Sequence, residues 1–127
     1  MSETLVRNFF AAADAREPAR LVELLTEDVR WTFGNAPTTI GREPIVQALT
    51  PFFEYVRQMD HRIVGIWHSA ECITVETRVT YVDVFGRSFT YPGCDLLFLR
   101  DGLFSEVRIF VDNHELFVPP AAPADAK

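Results

Sequence analysis

The chain has 127 residues, of which 48% are hydrophobic, and a formal net charge of −6 at pH 7. This length predicts one domain, and the hydrophobic content is too high for a disordered chain. The acidic balance, with no basic stripe along the sequence, argues against nucleic acid and anionic membranes as partners.

The sequence gives no sign of a metal or cofactor. Cys72 and Cys94 are far apart and in no metal-ligand spacing, and the three histidines are scattered. We expect two reduced thiols, no metal site and no cofactor, since a glycine-rich phosphate loop is also absent from the sequence. We find neither a basic segment followed by a long apolar run near residue 1 nor an apolar run that could span a bilayer. We therefore expect a cytoplasmic protein.

The first half of the chain predicts three helices and one short strand. Apolar residues recur at helical spacing up to about residue 13, and a capping-box pattern of Asp14 and Glu17 predicts a second helix over about 17–25. A strand is predicted over 29–33. Pro44 suits the first turn of a third helix, which Pro51 is expected to kink or restart.

The second half predicts four strands, over about 61–68, 73–84, 88–99 and 103–112. These runs are rich in β-branched and aromatic residues, and Asp101-Gly102 between the last two is a strong hairpin signal. Apolar and polar residues alternate in the last run, which predicts one buried face and one open face.

This order of elements predicts an α+β fold. A curved, mixed but mainly antiparallel sheet is expected to wrap around the three N-terminal helices and to leave a conical pocket, which is the default ligand site. We predict one domain over residues 1–118. The Pro- and Ala-rich tail over 119–127 is expected to be disordered.

Several segments resemble the cone-shaped α+β superfamily of nuclear transport factor 2, ketosteroid isomerase and the SnoaL-like polyketide cyclases. They are LLTEDVRW at 24–31, IGREPI at 40–45, VTY at 79–81, DGL at 101–103 and RIFVD at 108–112. Their order and spacing are most similar to the SnoaL-like branch. The resemblance implies a cystatin-like, nuclear transport factor 2-like fold. It does not imply one activity, because the superfamily hosts isomerases, dehydratases, epoxide hydrolases, cyclases and non-catalytic association domains.

The residues depart from the catalytic sets of two subfamilies. The limonene-epoxide hydrolase type needs an arginine, which corresponds to Arg78, and two carboxylates, which fall on Thr80 and Ile109. The ketosteroid isomerase type needs a carboxylate base, which falls on Phe33, a tyrosine, and a protonated carboxyl, which corresponds to Asp95. Both mechanisms are therefore disfavoured. None of the three histidines matches those that the scytalone dehydratase type uses.

Two charged residues in the predicted strands are the main catalytic candidates. Asp95 lies among apolar neighbours, which suggests a pocket acid or hydrogen-bond donor with a raised pKa; half of a structural ion pair, or an exposed strand residue, is the alternative. Arg78 could hold a substrate carboxylate or Asp95 itself, or form a surface pair with Glu76 and Arg108.

Aromatic and aliphatic residues are expected to form the wall of the pocket, and such a wall suits a flat or cyclic apolar ligand. The predicted ligand-binding residues are Trp31, Phe33, Phe52, Leu97, Ile109 and Tyr55. Plain core packing is the alternative for Trp31 and Phe33, and a structural role is the alternative for Tyr55. At the end of the last strand, Asp112 and His114 suggest either an acid–base pair or a turn cap.

The sequence thus predicts a cofactor-independent enzyme that moves a proton on a small apolar or polyketide-like carbonyl compound, by isomerisation, cyclisation or dehydration. Asp95 would be the acid–base group or oxyanion donor, and Arg78 would orient a polar group. The alternative is a ligand-binding or dimerisation module without catalysis. In either case an open sheet face predicts a homodimer. Candidates for this face are Phe89, Tyr91, Phe98 and Phe110.

Overall fold

The computed structural model describes residues 2–121. The helices are α1 (Ser2–Asp14), α2 (Pro18–Val22) and α3 (Arg42–Tyr55), and the strands are β1 (Leu25–Phe33), β2 (Thr39–Ile40), β3 (Val56–His68), β4 (Cys72–Asp83), β5 (Ser88–Arg100) and β6 (Leu103–Val111). A 3-10 helix follows at His114–Phe117. Within this range, no helix has the length and apolarity that a membrane crossing requires. The predicted disorder of residues 122–127 falls outside the described residues.

The six strands form one sheet in the order β2-β1-β6-β5-β4-β3. β1 runs parallel to β6, and the other neighbouring strands run antiparallel. The α+β class, the mixed but mainly antiparallel sheet and the three N-terminal helices are confirmed.

The second helix is shorter than predicted, and the first strand is longer. α2 ends at Val22, and β1 begins at Leu25. Pairing with β6 explains the difference, because the Phe104 N–H donates to the Leu24 carbonyl at 2.9 Å and Leu25 is the register partner of Phe104. The short strand β2 was not predicted; its two residues pair with β1.

α3 is continuous across Pro51, so the predicted restart is wrong. A proline inside a helix removes one backbone hydrogen bond and costs about 3 kcal/mol. Ile45 and Phe53, one on each side of the proline, are both buried. Packing against the core therefore holds the two halves of the helix together.

The hairpin between β5 and β6 forms at the predicted Asp101-Gly102 turn. Asp101 and Gly102 have φ angles of 55° and 79°, which is the type I′ geometry that suits the twist of paired strands. Between β4 and β5, the buried Asp83 carboxylate accepts the N–H groups of Phe85 and Arg87 as well as the Arg87 side chain. These turns fix the register of the strands that carry the site.

The core consists of two clusters of buried side chains between the helices and the inner face of the sheet. The first joins α1 and α2 to the sheet and includes Val6, Phe9, Leu21, Val75, Leu97 and Phe104. The second surrounds the C-terminal half of α3 and includes Phe53, Val56, Met59, Val79, Tyr81 and Leu116.

Two of the four residues predicted for the open sheet face lie on the opposite, inner face of β5. Phe89 and Tyr91 lie on the inner face with Asp95 and pack against the second cluster, so their assignment to the open face is wrong. Strand alternation explains this, because odd-numbered residues of β5 face the helices. Phe98 and Phe110 lie on the outer face, where Phe110 is 50% exposed.

Candidate active site

A cavity of about 370 Å³ lies between the helices and the inner face of the sheet. Its lining includes members of both core clusters and is mainly apolar. The aromatic part of the lining consists of Phe9, Phe10, Trp31, Phe33, Phe52 and Phe53. Helical spacing brings Phe9 and Phe10 to the buried side of α1, while Trp31 and Phe33 share the inner face of β1.

Four of the six predicted wall residues line this cavity: Trp31, Phe33, Phe52 and Ile109. The other two do not. Leu97 lies on the same face of β5 as Asp95, two residues further along the strand, and is fully buried in the first core cluster. Tyr55 lies at the end of α3, where its ring stacks on Phe117 and its hydroxyl donates to the Leu116 carbonyl at 2.7 Å.

Asp95 lies on the inner face of β5 and lines the cavity. Its register partners are Val75 on β4 and Ile109 on β6, so its near neighbours are aliphatic. The residue is only 5% exposed. Burial raises the pKa of the Asp95 carboxyl to about 7, against a smaller lowering effect from His61. The carboxyl can therefore exchange a proton near neutral pH.

Arg78 does not reach the cavity, and the predicted meeting of Arg78 and Asp95 is wrong. Asp95 pairs with Val75, which faces inward, whereas Arg78 is three residues further along β4 and faces outward. Its neighbours across the outer face are Pro92 and Arg62. The alternative, a surface pair of Arg78 with Glu76 and Arg108, is not formed as expected among the described residues. Arg108 pairs instead with Glu106 at 2.9 Å.

A second titratable group enters the cavity from β3. His61 lines the cavity, and its Nδ1 lies 2.6 Å from Oδ1 of Asp14, the last residue of α1. The backbone N–H of His61 donates to the other carboxylate oxygen of Asp14 at 3.0 Å. Phe10 packs against the imidazole ring, with 4.8 Å between the ring centroids. Because Asp14 occupies Nδ1, Nε2 is the ring nitrogen that remains for a ligand.

Four neutral polar residues complete the polar part of the lining: Thr39, Thr77, Tyr81 and Asn113. Burial raises the pKa of Tyr81 far above its usual value, so its hydroxyl stays protonated and can donate. Gly93 is the register partner of Thr77, and a Cβ at this glycine would lie 2.9 Å from the Thr77 Oγ1. The glycine therefore leaves the space that the threonine hydroxyl needs.

Sequence reasoning missed His61, Asp14 and Asn113. Asp14 and His61 are 47 positions apart, and no spacing rule connects a helix end to a distant strand. The predicted candidate His114 is exposed instead, and its backbone N–H lies 3.4 Å from Oδ1 of Asp112. That geometry is the turn cap that was the alternative interpretation.

The cavity thus combines two titratable groups with neutral hydrogen-bonding groups in an apolar surround. This combination suits proton transfer to and from an apolar, uncharged ligand. Among residues 2–121, no group of three or more His, Cys, Asp or Glu side chains is placed to hold a metal ion.

A family model that covers most of the chain identifies its family. A family model of the SnoaL-like domain matches residues 6–107. The chain belongs to the SnoaL-like family. No curated protein matches its sequence significantly.

Solved structures share the SnoaL-like fold at low sequence identity. A protein from Jannaschia, provisionally assigned as a SnoaL-like polyketide cyclase, has a TM-score of 0.79 and 20% identity, with 92% of each chain covered. A protein from Catenulispora acidiphila with a ketosteroid isomerase-like fold, solved with trimethylamine, has a TM-score of 0.82 and 18% identity, covering 97% of this chain and 96% of the other. The protein TerC, co-crystallised with polyporic acid, has a TM-score of 0.75 and 18% identity, covering 89% and 95%.

Proposed function

We propose that this SnoaL-like protein is a cofactor-independent enzyme that transfers a proton on a small, apolar or polyketide-like carbonyl compound. Asp95 carries the proposal. Its carboxyl is buried in a largely apolar cavity, and its pKa is raised to about 7. Ionising a carboxyl there is costly, and such groups cluster at functional sites.

The proposed step begins with ionised Asp95. The carboxylate takes a proton from the carbon next to the carbonyl group; the C–H electron pair forms the new double bond of an enolate, and the negative charge moves to the carbonyl oxygen. Return of the proton from Asp95 to another carbon of a conjugated enolate gives isomerisation. Attack of the enolate on a second carbonyl carbon forms a C–C bond, and the resulting alkoxide takes the proton from Asp95, which gives cyclisation. Cleavage of a β C–O bond, with the hydroxyl leaving as water after it takes the proton from Asp95, gives dehydration. All three reactions share the first step, so the cavity chemistry supports the class rather than one member.

His61 is the proposed partner of Asp95. Its Nδ1 is held by Asp14, which fixes the orientation of the ring and leaves Nε2 for the ligand. A second proton carrier in the same cavity would let one group accept a proton while the other donates.

The comparisons support this reaction class by similarity alone. The Jannaschia protein carries a provisional polyketide cyclase assignment, and the structure of TerC was solved with polyporic acid. Both have the fold of this chain at 20% identity or less. They favour an organic, oxygen-bearing ligand here.

The test is hydrogen–deuterium exchange on a ketone, because exchange requires only the shared first step. 2-Tetralone, a small flat ketone with acidic C–H groups, is incubated with protein in D₂O, and the loss of its α-proton signals is followed by NMR. We expect the wild-type protein to accelerate exchange, and Asp95→Asn to reduce that acceleration by about 100-fold or more.

Asp60→Asn is the matched control, because Asp60 is an exposed carboxylate of β3. It should retain the wild-type rate. Binding of 2-tetralone and related ketones without accelerated exchange would contradict the enzyme proposal and support the non-catalytic binding module. Equal acceleration by wild type and Asp95→Asn would remove Asp95 from the mechanism.

A homodimer through the outer sheet face is also part of the proposal. The register places Trp67, Leu96, Phe98 and Phe110 on that face, and Trp67 and Phe110 are 56% and 50% exposed. Exposed apolar side chains on one sheet favour association with a second copy. Light scattering should give twice the mass of the chain, and Phe110→Lys should give a folded monomer. A monomeric wild-type protein would refute the dimer.

The charge of the chain supports the partner class. A formal net charge of −6 disfavours nucleic acid and anionic membrane surfaces. This charge favours a small ligand over polyanionic partners.

A further inference from the structure

Asn113 is a buried amide at the edge of the cavity whose nitrogen has no hydrogen-bond partner. The residue is 7% exposed and lines the cavity just beyond the end of β6. Among the described residues, no atom accepts a hydrogen bond from its Nδ2. Buried amide groups in native proteins are almost always paired, so an unpaired donor at a ligand cavity needs an explanation.

The backbone holds this amide in place. The Asn113 carbonyl accepts the N–H of Leu116 at 3.1 Å, which closes the 3-10 helix after β6. Leu116 is fully buried, and its own carbonyl accepts the Tyr55 hydroxyl at 2.7 Å. The turn that carries Asn113 is therefore anchored to α3, and the amide is oriented before any ligand arrives.

The surroundings of the amide indicate what it would bind. Burial raises the pKa of Tyr81, and the nearby Asn113 amide lowers it as a hydrogen-bond donor would, although among the described residues no acceptor meets hydrogen-bond geometry with Nδ2. The Tyr81 hydroxyl offers a second neutral donor. Val111, two residues before Asn113, also lines the cavity and is the register partner of Gly93, two residues from Asp95. The neutral donors Tyr81 and Asn113 and the buried carboxyl of Asp95 therefore line one cavity.

We propose that Asn113 donates a hydrogen bond to the carbonyl oxygen of the ligand and so selects ligands that carry an acceptor oxygen at this end of the cavity. This inference depends on the proposed function and adds the group that holds the oxygen while Asp95 acts on the neighbouring carbon. The N–H then also stabilises the negative charge that develops on that oxygen.

Two probe molecules that differ in a single functional group test the inference. 2-Acetylnaphthalene carries C=O where 2-isopropenylnaphthalene carries C=CH₂, so their shapes are nearly equal. Equilibrium dialysis gives the dissociation constant of each probe for wild type, Asn113→Leu and the control Asn8→Leu, at an exposed position of α1. We expect the affinity ratio of ketone to alkene to fall about tenfold in Asn113→Leu, which corresponds to the loss of one good hydrogen bond, and to stay constant in Asn8→Leu.

Thermal unfolding without ligand separates a ligand-binding role from a structural one. Leucine has nearly the shape of asparagine and carries no unpaired donor, so Asn113→Leu should melt at or above the wild-type temperature. If this variant unfolds, Asn113→Ala supplies the same dialysis comparison with a smaller side chain that also lacks a donor.

The outcomes are distinct. If wild type binds neither probe, the cavity proposal fails, and the Asn113 inference fails with it. If wild type and Asn113→Leu bind both probes with the same ratio, the inference about Asn113 is overturned while the cavity proposal stands. A large loss of stability in Asn113→Leu with an unchanged affinity ratio in Asn113→Ala would make Asn113 structural.

Discussion

Asp95→Asn should stabilise the protein, and the gain should grow with pH. The carboxyl of Asp95 is buried among apolar side chains, with a pKa of about 7 in place of 3.8. Between these two pH values the folded protein keeps a proton that the unfolded chain releases, so the folded state loses stability as the pH rises. Above pH 7 both states are ionised, and the loss stays constant.

The magnitude follows from the two pKa values. Each pH unit across this interval costs about 1.4 kcal/mol, so the wild-type protein loses about 4 kcal/mol between pH 4 and pH 7 because of this one group. Asparagine has nearly the same shape and cannot ionise. Asp95→Asn should therefore be more stable than wild type by about 2 kcal/mol at pH 5 and by about 4 kcal/mol at pH 8.

Urea unfolding of both proteins at pH 5, 6, 7 and 8 measures this difference, and Asp60→Asn serves as the exposed control. The control should stay within about 0.5 kcal/mol of wild type at every pH. A pH-independent difference for Asp95→Asn, or a loss of stability at pH 8, would show that the carboxylate is solvated or paired in the folded state. The expected variant is more stable and less active, as is common when a buried charge serves function.

Three further predictions concern the lining and the outer face. Gly93→Ala places a Cβ against the Thr77 hydroxyl and should lower the free energy of unfolding by about 1–3 kcal/mol. Adding Thr77→Ala to this variant should recover much of that loss. No recovery would contradict the close approach of these two residues. Asp14→Asn should lower the 2-tetralone exchange rate about tenfold or more and weaken ligand binding little, because Asp14 acts through His61. If His61→Gln and the double variant lose the same amount of activity, Asp14 and His61 act together. Additive losses would contradict this. Arg78→Ala should change the unfolding free energy by less than about 0.5 kcal/mol and leave the exchange rate unaltered, since its side chain is exposed on the outer face; a slower rate would show that Arg78 takes part in the reaction after all.

The alternation of side chains along the strands decides which residues face the cavity and which face outward. In β4 the apolar residues Val75 and Val79 alternate with Glu76 and Arg78, which already separates an inner face from an outer face. Resemblance to an arginine-containing catalytic set suggested that Arg78 enters the pocket, and the register shows that it cannot. Alternation is a local property with a period of two residues, and here it was the better guide.

The sequence by itself determined the α+β class, the order of the elements other than β2, and the Asp101-Gly102 turn, and it favoured the burial of Asp95. These features depend on local periodicity, turn chemistry and the hydrophobicity of neighbouring residues, all of which are written in short segments. Only the tertiary structure decided which polar groups share the cavity with Asp95. Asp14 meets His61 across 47 positions, and Asn113 reaches the cavity because a 3-10 turn is anchored to α3. Such contacts depend on how the helices pack on the curved sheet, and no periodicity within one segment encodes that packing.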